Sequence, residues 1–203
     1  MYARVASFEG RDAGMTDELI DRVRDVGPSS VPDAKGFLGL FDRDRGTALG
    51  VTFFDSEDAI RNSEQAFEDM AQHFPSEMRG RRTSVDVYEV MVFEGDAERA
   101  KAARVSTLEG SASDLDQSFE RVASETLPKV RNLQGNVGAI GFADRKTGRV
   151  KLITLWESAD ALRQSEQQAN QLREEAAQGG GQRIASVDRY EVAVAQQLSG
   201  VRA

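Results

Sequence analysis

The chain has 203 residues, no cysteine, one histidine, one tryptophan and a formal net charge of −8. Disulfides and thiolate chemistry are excluded, and a broad basic surface for nucleic acid is not expected. No apolar run approaches the roughly 20 residues that cross a bilayer, and the opening MYARVASFEGRD lacks the basic-then-apolar plan of a signal peptide. A cytoplasmic protein with no membrane and no nucleic-acid partner is therefore expected.

In chain order, ARVASF reads as a short apolar strand. Met15, Leu19, Val23 and Val26 then recur at helical spacing, with Gly14 or Thr16 as a cap and Gly27-Pro28 as the stop. GFLGLFD and ALGVTFF form a hairpin around the polar turn DRDRGT. Ser56 sits where an N-cap belongs, ahead of Glu57 and Asp58, and Ala59, Ile60, Ser63, Phe67 and Met70 mark the inner face of one further helix. Pro75 ends it, and SVDVYEVMVF closes the unit as a long alternating strand.

The same order then recurs. ARVASFEG at 3–10 returns as ARVSTLEG at 103–110, DSEDAIRNSEQ at 55–65 as ESADALRQSEQ at 157–167, and SVDVYEV at 84–90 as SVDRYEV at 186–192. In this second copy, Leu115, Phe119, Val122 and Val130 give the first helix stripe, and Gly179 to Gly181 break the second helix. A period near one hundred residues means a duplicated domain and not a short solenoid repeat. The units expected are 1–94 and 103–203, joined by a polar linker at 95–102.

The order β-α-β-β-α-β, twice, is the ferredoxin-like plan, an α+β fold. Its strands are apolar on both faces, so the face without helices also needs cover. The second copy's sheet is the cheapest cover. The expected architecture is therefore a pair of tandem ferredoxin-like repeats forming one intramolecular, pseudo-dimeric α/β barrel, either monomeric or paired into a further homodimer.

Several residues could carry chemistry. Arg4 and Arg104 hold equivalent places on the strand face opposite Val5 and Val105. Either they form structural ion pairs with acids of the closing strands (Glu89 and Glu191, or Asp86 and Asp188), or one of them meets an anionic substrate. Trp156 is equivalent to Phe54, and each either packs in the core or stacks on a flat ligand. Tyr88 and Tyr190 are duplicated and either pack across strands or donate to a ligand oxygen. Arg79, Arg81 and Arg82 read as a solvated loop. Asp42-Arg43-Asp44-Arg45-Gly46 lacks the later bidentate acid of a calcium loop and reads as a hairpin turn. No zinc, nucleotide or nucleophile-elbow motif is present, so no metal is expected.

The strand end and helix start Phe54-Asp55-Ser56-Glu57-Asp58-Ala59, its copy Trp156-Glu157-Ser158-Ala159-Asp160-Ala161, the helical Ser63 and Ser165, and the closing strands with Tyr88 and Tyr190 together resemble the antibiotic biosynthesis monooxygenase superfamily of dimeric α/β barrels. The resemblance covers nearly the whole chain, once per repeat. It implies a small-molecule-binding protein, acting as a cofactor-independent monooxygenase on an aromatic or quinol-type substrate. The pocket would lie between sheet and helices of one repeat, with His73, Arg4 and Arg104 as catalytic candidates and Trp156, Phe54, Tyr88 and Tyr190 as substrate contacts. No cofactor is expected; haem is the one the resemblance allows. Haem-degrading members place their axial histidine near His73, but they carry Trp and Asn where this chain has Ser63 and Ala3, and the copy of His73 is Glu175. A third reading is a non-catalytic ligand-binding or assembly protein.

Overall fold

Near-continuous apolar runs such as GFLGLFD and ALGVTFF make both repeats build strands with two buried faces. In the computed structural model, which describes all residues except 11–12, 27–29, 73, 199–200 and 202–203, the strands are β1 (Tyr2–Glu9), β2 (Gly36–Asp42), β3 (Thr47–Phe54), β4 (Arg81–Gly95), β5 (Ala102–Glu109), β6 (Asn136–Asp144), β7 (Arg149–Trp156) and β8 (Arg183–Gln196). They hydrogen-bond in the order β1-β3-β2-β8-β5-β7-β6-β4 of a closed barrel. Read from β4, that order is the ferredoxin-like 4-1-3-2 arrangement followed by its copy.

Two compact units divide this chain. The first comprises Met1–Val87 and Glu191–Val201, and the second centres on Tyr88–Tyr190. The long closing strands β4 and β8 therefore each contribute to both units.

In the first unit, β1 pairs antiparallel with β3 (Arg4 opposite Thr52) and β2 pairs with β3 (Gly39 opposite Gly50). The end of β8 adds to β2. The helices are α1 (Thr16–Val26), α2 (Glu57–Asn62), α3 (Glu64–Gln72) and α4 (Ser76–Arg79). Leu19 and Ile20 of α1 bury against Phe41, Ala48, Met78, Ala193 and Val194. Phe54, Ile60, Phe67 and Val31 form a second cluster, with the rings of Phe54 and Phe67 edge to face at 6.2 Å. Met15, expected on the helix stripe, precedes α1 in a short 3-10 turn and is exposed. The expected stop at Gly27-Pro28 lies outside the described residues.

In the second unit, β5 and β6 flank β7 antiparallel, with Arg104 opposite Thr154. Its helices are α5 (Leu115–Arg121), α6 (Leu127–Arg131), α7 (Ala159–Gln164) and α8 (Glu166–Gly179). A π-helical turn, Val122–Thr126, joins α5 to α6. Pro128 has no N–H to give the carbonyl four residues back, so the α-helical ladder is interrupted there. Gly180 caps α8, and Gly181 holds a left-handed φ of 63° that favours glycine.

Both repeats start their second helical segment alike. The hydroxyls of Ser56 and Ser158 accept from the backbone N–H of Ala59 at 3.1 Å and Ala161 at 3.0 Å, a cap worth about 1 kcal/mol. The single helix expected after each cap is broken. Ser63 and Ser165 stand between two helices, not inside one. The Ser63 hydroxyl lies 2.7 Å from the Pro32 carbonyl and 2.9 Å from that of Ala59. Such side-chain bonding to the backbone competes with the helical ladder.

Candidate functional site

Each unit holds a cavity between its sheet and its helices. Strand alternation builds both floors. Arg4, Ala6 and Phe8 of β1 point to the helix side, while Ala3 and Val5 point away and are fully buried.

The first unit's cavity has a volume of about 140 Å³. Five phenylalanines line it: Phe8, Phe37, Phe41, Phe67 and Phe74. Its floor is made of small residues, among them Ala6, Gly39, Ala48 and Gly50. A Cβ placed on Gly50 would meet only the Phe37 ring, at 3.5 Å or more, so the missing side chain leaves real space. The polar lining is Arg4, Thr52, Arg79 and Arg82.

The second unit's cavity is about 50 Å³. Leu152 and Val150 occupy the places of Gly50 and Ala48, and Arg173 stands where the first unit has Ala71. Those larger side chains fill the equivalent volume. Each water-sized position takes about 10–15 Å³ on this measure, so the first cavity has room for about ten such positions and the second for about four.

The ion pairs with the closing strands expected from sequence do not form: the duplicated arginines pair with acids of the helices. Arg4 is 3% exposed and donates from Nε to Glu64 Oε1 at 3.0 Å and from Nη2 to Oε2 at 3.3 Å. Its guanidinium carbon lies 3.9 Å from the Phe67 ring centroid. Arg104 donates from Nη2 to Glu166 Oε2 at 2.9 Å, and the same nitrogen reaches Leu162 O and Ser165 Oγ. Glu89 instead pairs with Arg145, and Glu191 with Arg43. The reason is geometric: Arg4 and Arg104 point to the helices, whose first acid after the conserved-in-both-copies serine lies directly above them. The repeated Ser-Glu-Gln at 63–65 and 165–167 carried that signal.

Glu166 also binds Arg189, at 2.6 and 3.1 Å. Burial alone would raise its carboxyl, but the bonds from Arg189 and Arg104 outweigh this and hold it below the ordinary value. Arg104 is pulled below the usual guanidinium value by burial, against the opposing pull of Glu166. Arg173 is lowered too, by burial and by the charge of Arg104.

In the basic cluster at 79–82, Arg81 and Arg82 are exposed, as expected, but the segment is not a loop. Arg79 lies in α4 and Arg82 in β4, and both line the first cavity. Arg82 donates to Glu68 at 2.7 Å, which holds the Glu68 carboxyl below its ordinary value. Arg79 Nε is buried without a hydrogen-bond partner among the described residues.

The other sequence candidates separate. Trp156 is fully buried, lines the second cavity, and donates its indole N–H to Thr154 Oγ1 at 3.1 Å. Phe54 packs behind Phe67 in the core. Tyr88 is 1% exposed beside Phe142, with ring centroids 6.1 Å apart, and Tyr190 is half-buried; neither lines a cavity described here. His73 lies outside the described residues. Among the described residues no group of three His, Cys, Asp or Glu side chains could hold a metal, and no helix is long and apolar enough to cross a membrane.

The haem alternative rests on His73, which lies outside the described residues; Ser63, where the resemblance to haem-degrading members would call for Trp, is fully buried and bonded to backbone.

No protein-family model matches the chain. An uncharacterized protein of Mycobacterium tuberculosis is 25% identical over 200 residues, covering 96% of this chain and 88% of the relative. Among solved structures, an anthrone oxidase-like protein superposes with a TM-score of 0.69 at 12% identity, over 100% of this chain and 95% of the other. An uncharacterized ferredoxin-fold protein from Listeria monocytogenes related to antibiotic biosynthesis monooxygenases gives 0.53 at 8% identity, over 94% of each chain. The chain therefore shares the closed-barrel, ferredoxin-like fold of proteins related to the antibiotic biosynthesis monooxygenases.

Proposed function

We propose that the first unit's cavity binds a small aromatic or quinol-type molecule as its anion and supports its oxygenation without a cofactor. The observation that carries this reading is the meeting of five phenylalanines with the buried Nε of Arg79, which has no hydrogen-bond partner among the described residues. Phenyl walls favour a flat ring. A guanidinium in an apolar cavity favours an enolate or phenolate oxygen. Room for about ten water-sized positions suits two fused rings, with a third reaching the mouth.

In such chemistry the substrate supplies the electrons. The carbanion form of a ring CH2 gives them to dioxygen, a carbon–oxygen bond forms, and the second oxygen atom leaves as water while the carbon becomes a carbonyl. The chain's part is to stabilise the anion through Arg79, to keep water out with its phenyl walls, and to orient the ring. Arg4, already held by Glu64, positions Phe67 and does not meet the reacting atoms. His73 is the candidate base of this proposal.

Oxygen uptake with anthrone, in wild type and Arg79→Met, tests it. The expected result is uptake above the protein-free rate, reduced about a hundredfold or more by the substitution, as for loss of one oxyanion donor. Uptake no faster than without protein, alongside saturable anthrone binding, would leave a ligand-binding protein without this activity. Absence of both uptake and binding would overturn the proposal.

A further inference from the structure

The second unit's cavity differs in chemistry as well as size. Arg104 is 1% exposed and spends only Nη2 on partners. Its Nε and Nη1, and Nε of Arg173, are buried without a hydrogen-bond partner among the described residues. Both arginines line the cavity. Three guanidiniums, of Arg104, Arg173 and Arg189, crowd one carboxylate, Glu166, which is already shared between Arg104 and Arg189. Glu174 and the Asn170 side chain, which accepts from Arg173 Nη2, soften but do not cancel that excess.

Buried N–H donors left unmet destabilise a fold, and like charges confined together add to that cost. A ligand that brings acceptors and one negative charge relieves both. The rest of the lining is mostly aliphatic and aromatic, including Leu108, Val150, Leu152 and Leu172, with the hydroxyls of Ser106, Ser118, Thr126 and Thr154 and the amide of Gln182 as its neutral polar groups. Room for about four water-sized positions admits a headgroup with a short tail and no fused ring.

We propose that this cavity is a second, separate binding site, for a short aliphatic carboxylate whose oxygens accept from Arg104 and Arg173 and whose tail lies against the leucines and valines. The site does not depend on the function of the first unit's cavity, since every residue in it belongs to the second unit. An aliphatic tail matches the lining, and a carboxylate matches guanidinium geometry.

Trp156 supplies the readout. It is the only tryptophan, it lines this cavity, and its ring centroid is 5.3 Å from the Arg104 guanidinium carbon. The full chain is titrated with sodium butyrate, against butyramide and against sodium chloride at equal ionic strength, while Trp156 emission is followed. A saturable change with butyrate and none with butyramide or chloride is expected. Arg173→Met should weaken the butyrate midpoint about tenfold, the usual size for one charge-assisted donor. Arg104→Lys, which keeps a cation for Glu166 but removes the unmet Nε and Nη1 donors, is the second variant should Arg173→Met fail to fold. An equal response to butyramide or chloride, no saturable response to butyrate, or midpoints within about twofold of wild type in a folded variant, would overturn the proposal.

Discussion

Arg4 Nε stands 3.0 Å from Glu64 Oε1, a nearly buried cation held by a half-exposed acid, with side-chain exposures of 4% and 46%. Removing the acid leaves the cation unpaired over Phe67. Glu64→Ala is expected to cost about 2 kcal/mol, less than for a fully buried pair because water reaches the carboxylate. The double variant Arg4→Met, Glu64→Leu should cost clearly less than the two single changes added together. Urea unfolding of all four proteins measures this, and strict additivity would show that the pair is not coupled.

Glu166 gives stability a pH dependence of known sign. Its folded value lies below the ordinary 4.5, because the bonds from Arg189 and Arg104 outweigh the effect of burial. The unfolded chain therefore takes up its proton first as the pH falls. The contribution is fully present above pH 4.5 and is lost as the pH drops through the depressed folded value. Glu166→Gln should flatten the fall of stability in that acid range and lower stability at neutral pH. Unfolding curves from pH 7 to pH 3 report it; an unchanged slope would remove Glu166 as a source of acid sensitivity.

Trp156 and Phe54 hold equivalent places, but only the indole has a hydrogen bond to lose. Trp156→Phe is expected to destabilise by about 2–3 kcal/mol, from one lost buried hydrogen bond and a partial cavity. Trp156→Phe combined with Thr154→Val should cost less than the sum of the two, since the acceptor is then not stranded. Thermal unfolding of the single and double variants tests this coupling.

Much of the architecture is legible in the residues themselves. The duplicated ARV strands, the Ser56 and Ser158 caps and the glycine-marked hairpins each follow from local rules, and all recur in the fold. The cavity is less legible. Phe8, Phe37, Phe41 and Phe74 come from two strands and a turn, and nothing local says that they face one space above Gly50. Arg79 and Arg82 look like surface charge in a polar stretch, because their place beside the cavity depends on where α3 and α4 pack. Strand pattern points to a partner for Arg4 across the sheet, whereas its acid, Glu64, lies on the covering helix.

Gly50 and Leu152 hold equivalent positions in the two units, and this difference supplies the most direct test of the first cavity as the ligand site. The measurement is a fluorescence titration of the full chain with 2-naphthol, in wild type, Gly50→Leu and Leu152→Gly. A Cβ at position 50 meets nothing closer than 3.5 Å, and leucine is already accepted at the equivalent place, so Gly50→Leu should fold. Saturable binding of about one naphthol per wild-type chain is expected, weakened about tenfold or more in Gly50→Leu by overlap with the ligand, and retained in Leu152→Gly. Equal binding by folded Gly50→Leu, or binding that changes only in Leu152→Gly, would contradict it.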